Sequence, residues 1–134
     1  HALGLSEQFS CAAPLEEVQD LYKLMAVSVL CSKMEGFPNV VMESMASGTP
    51  LVASAVGGIP ELVEDGVTGR LIHSRNPADY ADAIEWVIGH PEESKAMTER
   101  AAAFARKTLS VEHMVSAYRT LYAELLAKAA RRGG

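Results

Sequence analysis

Apolar residues change their spacing several times along the chain, and each change predicts an element. Leu15, Val18, Leu21, Tyr22 and Met25 recur at helical intervals behind Pro14, with Glu16 and Glu17 in the first turn, so an amphipathic helix is expected there. Val27-Ser28-Val29-Leu30-Cys31 is then a short β-branched run, of the kind buried on both faces of a parallel sheet. Helical spacing returns from Val40 to Ala46 and stops at Ser47-Gly48-Thr49. Pro50 to Ser54 reads as the next strand, with Pro at the first position, where its missing N–H removes no ladder bond. A short helix over Pro60 to Glu64, an Asp65-Gly66 turn and a strand over Gly69 to His73 follow.

The second half reads as helical. Asn76-Pro77-Ala78-Asp79 combines a capping residue, a first-turn Pro and an acid, and Tyr80, Ile84, Val87 and Ile88 form the expected buried stripe up to Gly89. Trp86 falls among Asp79, Asp82 and Glu85, a placement suited to covering a neighbouring helix or another domain. Pro91-Glu92-Glu93 opens a helix to about Lys107, and Ser110 caps the last one. Val111, Met114, Val115, Tyr118, Leu121, Tyr122 and Leu125 make a wide stripe on it that reads as core. At the other end, His1 to Leu5 reads as a helix end closed by Gly4, and Glu7 to Cys11 as a short strand resting on Phe9 and Cys11 alone. Strands alternating with helices predict an α/β fold, a Rossmann-like parallel sheet with helices on both faces. Residues 1–130 make one domain and 131–134 a frayed tail.

The most informative turn joins the Val27 strand to the Val40 helix: Glu35-Gly36-Phe37-Pro38-Asn39-Val40-Val41-Met42-Glu43. Pro38 fixes its own φ and suits the first helical position, and it drives Phe37 toward an extended conformation. Gly36 can take φ > 0 or bring backbone against a ligand. Free N–H groups and the positive end of the helix dipole then face the loop and favour a phosphate. Glu43 points back toward that loop because Cα–Cβ bonds tilt to the helix N-terminus. Asn39, Val40, Ala46 and Ser47 are its helical neighbours, so this helix offers it no cation. Its hydrogen-bond donors are either a sugar diol or hydroxyl and backbone groups of the protein itself.

Composition narrows the classes. The chain has 134 residues, 49% of them hydrophobic, enough for one core and too few for two. A net charge of −5 argues against a nucleic-acid partner held through phosphates. Cys11 and Cys31 lie on separate runs with no metal-ligand spacing, and they read as reduced, buried thiols. No apolar run approaches the ~20 residues of a membrane span, and no signal peptide is visible. Because the first residue is His rather than Met, the chain reads as a piece of a longer one.

The Glu35-x7-Glu43 segment, followed by Ser44-Met45-Ala46-Ser47-Gly48-Thr49-Pro50 and then by Gly57-Gly58-Ile59-Pro60-Glu61, resembles the donor-binding C-terminal half of retaining GT-B glycosyltransferases of group 1, family 4. The likeness runs from about Leu3 to Leu126. It implies a partial nucleotide-sugar-binding domain, N-terminally incomplete by roughly 60 residues, which would supply two strands and a Gly-rich turn with the basic residues that clamp the donor pyrophosphate. It also implies the strand order 3-2-1-4-5-6. The implied reaction is transfer of a sugar, with retention, from a nucleotide-sugar donor to a polysaccharide, glycolipid or similar acceptor. By the same resemblance, Glu35 contacts the donor sugar's hydroxyls and Glu43 the ribose hydroxyls. Gly36, Phe37, Pro38, Asn39 and Val40 lie along the donor, and Gly57 and Gly58 flank the pocket. Read from spacing alone, Gly57 and Gly58 serve a tight turn and Glu61 is structural.

In that class no divalent metal is required, neither Glu need be a nucleophile, and the departing phosphate helps deprotonate the acceptor; no Asp-x-Asp stands here to hold a metal. The implied setting is cytoplasmic, with peripheral association at the cytoplasmic face of the membrane open to the full-length enzyme. The piece by itself is expected to be inactive and to bury its core poorly. Two departures stand out: the basic clamp is absent, and Ala12-Ala13-Pro14 lacks the Gly often found after that strand. Lys33 reads as a solvated loop residue, His73 and His90 have no carboxylate or nucleophile partner readable from spacing, and His113 falls on a helix surface. A non-catalytic α/β nucleotide-binding or interaction module is the competing reading, and loss of either Glu would favour it. A dehydrogenase domain is disfavoured because no Gly-x-Gly-x-x-Gly follows a strand.

Overall fold

A computed structural model describes residues 4, 5, 7–11 and 18–132. Helix α1 (Val18–Leu24) leads to β1 (Ser28–Leu30), α2 (Asn39–Ser47), β2 (Leu51–Ser54), α3 (Ile59–Leu62), β3 (Arg70–Ile72), α4 (Pro77–Gly89), α5 (Pro91–Thr108) and α6 (Val111–Arg132). The three strands form one parallel sheet in the order β1-β2-β3, with Ser28 beside Leu51 and Val52 beside Arg70. The proposed helix start at Pro14 lies outside the described residues, as do residues 1–3 of the helix end expected over His1 to Leu5, of which Gly4 has the positive φ (66°) of a helix-closing residue.

Two apolar layers follow from the alternation of side chains along β2. Leu51 and Ala53 face α2 and α3, where Val41, Met45, Ile59, Leu62 and Val63 complete a core with Ala101 and Ala105 of α5. Val52 faces the other way and packs with Ile72, Ala83, Val87 and Met97. All four residues of β2 are buried, as a central parallel strand requires. The small side chains of Ala101 and Ala105 let α5 approach closely enough to close the first layer.

Helix boundaries follow the local chemistry. Gly48 ends α2 in the left-handed region (φ 71°) and returns its N–H to Met45 O. Asn76 caps α4, its side chain accepting from the Ala78 N–H. Gly66, with φ 72°, makes the turn before β3, and the Asp65 carboxylate accepts from the Leu71 N–H at 2.9 Å. Pro38 departs from expectation: it is the residue before the helix, extended at ψ 127°, and not the first helical residue. Its carbonyl still accepts from the Val41 N–H, so the ring sets the approach to the helix from outside.

Several expectations about burial fail, mostly at unpaired surfaces. Residues 7–11 form no strand: the Gln8 N–H turns back to Leu5 O, and Phe9 is 75% exposed. A strand needs neighbours for its backbone groups, and among the described residues the sheet ends at β1. For the same reason β1 is not buried on both faces; Val29 is 40% exposed. Cys11 and Cys31 are exposed thiols, since one sits in the non-strand segment and the other just past the end of β1. Ile88 is exposed, and Ala83 takes the inward place on α4. Trp86 is half-buried against the core layer of Val52, Ile72, Ala83, Val87 and Met97, with the Arg70 guanidinium of β3 4.9 Å over its ring and His90 stacked on it at 4.8 Å.

The largest difference concerns α6. Val111, Met114, Val115, Tyr118, Leu121, Tyr122 and Leu125 are all exposed, so the stripe read as core faces outward. Helical spacing identifies an apolar face but says nothing about what covers it. The helix also continues through Arg131 and Arg132, where a frayed tail was expected. Among the described residues, no helix is long and apolar enough to cross a membrane.

Candidate functional site: two loops at the strand tips

The turn after β1 and the loop after β2 leave the same edge of the sheet and lock together. Gly58 N–H donates to Gly36 O at 2.8 Å. Gly57 has φ 56°, and a Cβ placed on it would lie 1.8 Å from the Glu35 carbonyl oxygen. A Cβ on Gly58 would come within 2.4 Å of Gly36 O and 3.1 Å of the Phe37 ring. Both glycines are therefore required by the close approach of two backbones, which is more than the tight turn that spacing alone supports. Gly36 differs: its φ is not positive and a Cβ there would meet nothing within 4 Å, so its outer side is open.

Helix α2 begins from this turn with no side-chain cap and no acid in its first turn. Among the described residues, no side chain accepts from the Asn39 or Val40 N–H, so that end keeps its partial positive charge available. Phe37 is half exposed, and the Asn39 and Val40 side chains are exposed at the same mouth, while Pro38 is buried beneath.

The two acids are each half-buried, and each is held by one neutral hydroxyl. Ser32 Oγ donates to Glu35 Oε1 at 2.6 Å. Tyr22 Oη, from α1, donates to Glu43 Oε2 at 3.1 Å. The ion pairs among the described residues join Lys23 to Asp20 and Arg70 to Asp65, so neither Glu is neutralised by a cation. Beneath α2, Ser44 Oγ donates to Ser28 Oγ at 2.9 Å, and Thr49 Oγ1 donates to Tyr22 O at 2.7 Å. These buried bonds tie α1, β1 and α2 into one support. Sequence reasoning placed Tyr22 only on an apolar face and did not single out Ser32. The available signal was that a buried Tyr must find a partner for its hydroxyl.

Burial, and the Glu43 carboxylate that accepts its hydrogen bond, raise the Tyr22 phenol above its ordinary pKa of 10.0. The folded protein thus holds this proton more tightly than the unfolded chain. Stability from this group is complete below pH 10 and falls as pH rises from there toward the raised native value. Urea melts across that window should show a steeper loss for the wild type than for Tyr22→Phe; parallel curves would remove the effect.

The remaining groups stay outside this arrangement. A cavity of about 330 Å³ beside the β1 tip is lined by Val29, Cys31, Ser32, Lys33, Arg75, Pro77 and Tyr80, and it includes none of the expected donor contacts. Lys33 is exposed there. Glu61 is an exposed first-turn acid of α3, and His73, His90 and His113 are exposed. Among the described residues, no group of three or more His, Cys, Asp or Glu side chains gathers to hold a metal.

The parallel sheet with helices packed against it and loops interlocked at its strand tips has the fold of solved GT-B glycosyltransferases. The chain aligns with Anabaena Alr3699/HepE in complex with UDP-glucose at a TM-score of 0.82 and 26% identity, covering 95% of this chain and 34% of that one. Sucrose-phosphate synthase from Thermosynechococcus elongatus aligns at a TM-score of 0.87 and 26% identity, over 95% of this chain and 32% of that one. The family described as "Glycosyl transferases group 1" matches residues 1–104, and the chain belongs to that family. Among its relatives, the D-inositol 3-phosphate glycosyltransferase of Geodermatophilus obscurus is 39% identical over 132 residues, 97% of this chain and 29% of the relative. That of Streptomyces coelicolor is 37% identical over 106 residues, 78% of this chain and 23% of the relative. The chain thus spans less than a third of the length of these relatives.

Proposed function

We propose that this chain supplies the donor-binding part of a retaining glycosyltransferase that takes a nucleotide-diphosphate sugar and passes the sugar to a hydroxylated acceptor. The observation that carries the reading is the lock between Gly57-Gly58 and Glu35-Gly36-Phe37, which builds one backbone surface from two loops beside an uncapped helix end. Such a surface suits a diphosphate, since oriented N–H groups stabilise developing negative charge without reorganising. In this reading Glu35 meets the donor sugar and Glu43 the ribose, both as charged acceptors with no cation paired to them among the described residues. Gly36, Phe37, Asn39 and Val40 lie along the donor.

Neither carboxylate is assigned as a nucleophile. The departing diphosphate takes the acceptor's proton, and its charge is met by N–H dipoles and by basic residues from elsewhere in the full-length enzyme, without a divalent metal. The Anabaena neighbour, solved with UDP-glucose, makes a uridine donor the first to test. Relatives named for D-inositol 3-phosphate support testing a phosphorylated cyclitol as acceptor, alongside polysaccharide and glycolipid acceptors. A cytoplasmic setting follows from a soluble nucleotide-sugar supply.

The test uses the full-length enzyme with UDP-, GDP- and ADP-glucose and an inositol phosphate acceptor. Proton NMR of the product should show the anomeric configuration of the donor. An inverted anomer would overturn retention, and absence of transfer from all three donors to any polyol acceptor would overturn the enzyme reading.

A further inference from the structure

Each motif acid is held through one oxygen by a neutral donor, but the two donors differ in how firmly they are built. Ser32 lies in the same turn as Glu35, three residues away. Tyr22 comes from a different helix, 21 residues before Glu43, and is 5% exposed. Its carbonyl accepts both the Thr49 hydroxyl and the Met25 N–H, so the end of α1 is pinned to the loops on either side of the β1-α2 unit. The phenol is therefore delivered to Glu43 by packing that no ligand has to assemble.

We propose that Tyr22 is a positioning residue for donor recognition: by occupying Oε2 of Glu43 it fixes the carboxylate with Oε1 directed to the nucleotide, and so sets the preference for ribose over deoxyribose. This rests on the assignment of Glu43 to the ribose. A neutral hydroxyl suits the task better than Lys or Arg, because it orients the carboxylate and leaves its charge in place for charge-assisted bonds to a diol. It also removes rotamer freedom from Glu43 before binding, so that ordering cost does not oppose association. The raised pKa of the phenol keeps its proton in place as the donor.

The experiment is calorimetry on the full-length enzyme with UDP and 2′-deoxy-UDP, beside ADP and GDP with their 2′-deoxy forms. Wild type, Tyr22→Phe, Tyr22→Met and Glu43→Gln are compared, with circular dichroism to verify folding. Tyr22→Phe conserves volume, so the fold should hold. The wild type should prefer the ribose form, and Tyr22→Phe should shrink that preference about three- to tenfold, the net scale of one ordinary hydrogen bond. Affinity for the 2′-deoxy form should stay near the wild-type value, and Tyr22→Met should shrink the preference alike although it packs differently. A merely structural role would weaken both nucleotides equally; that result, or an unchanged ratio in either folded variant, overturns the proposal. If wild type and Glu43→Gln discriminate equally, the ribose assignment itself fails. If Glu43→Gln loses the preference while both Tyr22 variants keep it, only the role of Tyr22 fails.

Discussion

Gly57→Ala should be the most damaging single-methyl change in the chain, lowering stability by about 2–4 kcal/mol and donor affinity with it. The left-handed backbone alone accounts for roughly 1–2 kcal/mol when a Cβ is added. The remainder comes from the added methyl, which would lie 1.8 Å from the Glu35 carbonyl oxygen. A backbone oxygen cannot rotate out of the way, so the two loops must separate and the bond from Gly58 N–H to Gly36 O is lost. Gly66→Ala is the matched control: its φ is 72°, yet a Cβ there meets nothing within 4 Å. Urea melts of the two variants should therefore differ by about the clash plus one hydrogen bond, roughly 1–2 kcal/mol. Equal destabilisation would show that the loops do not interlock as described. Calorimetry with the donor should separate them further, because only Gly57→Ala displaces the turn that carries Glu35.

The local elements were legible because each is dictated by residues adjacent in sequence. Asn76 with Pro77 starts α4, Gly48 ends α2, and Leu51-Val52-Ala53-Ser54 after Pro50 forms the central strand. Surfaces that depend on distant partners were not legible. The α6 stripe has the same spacing as a core stripe, and spacing carries no information about a covering element. Glu7 to Cys11 has strand-like residues but no sheet neighbour among the described residues. At the site, the sequence placed the glycines and acids in order but could not show that Gly58 bonds to Gly36 across the strand tips, since that contact depends on how two loops of different strands meet. Tyr22 was hidden for the opposite reason. Its ring satisfies the apolar pattern of α1, and only the fold brings its hydroxyl to Glu43.

Glu43→Ala should weaken nucleotide binding by about 1–3 kcal/mol, the cost of leaving ribose hydroxyls without their acceptor. That is roughly a 5- to 150-fold rise in Kd. The same substitution removes the acceptor of the Tyr22 hydroxyl, which lies on a residue only 5% exposed, so some loss of stability accompanies it. Glu43→Gln separates the two effects. Its amide oxygen still accepts from Tyr22, so its melting temperature should stay close to the wild-type value, while the missing charge still lowers affinity for the diol. Calorimetry of the full-length enzyme with UDP-glucose should thus rank wild type above Glu43→Gln and Glu43→Ala, with only the Ala variant clearly less stable. Equal affinity of all three would detach Glu43 from the ribose and leave it a structural acceptor for α1.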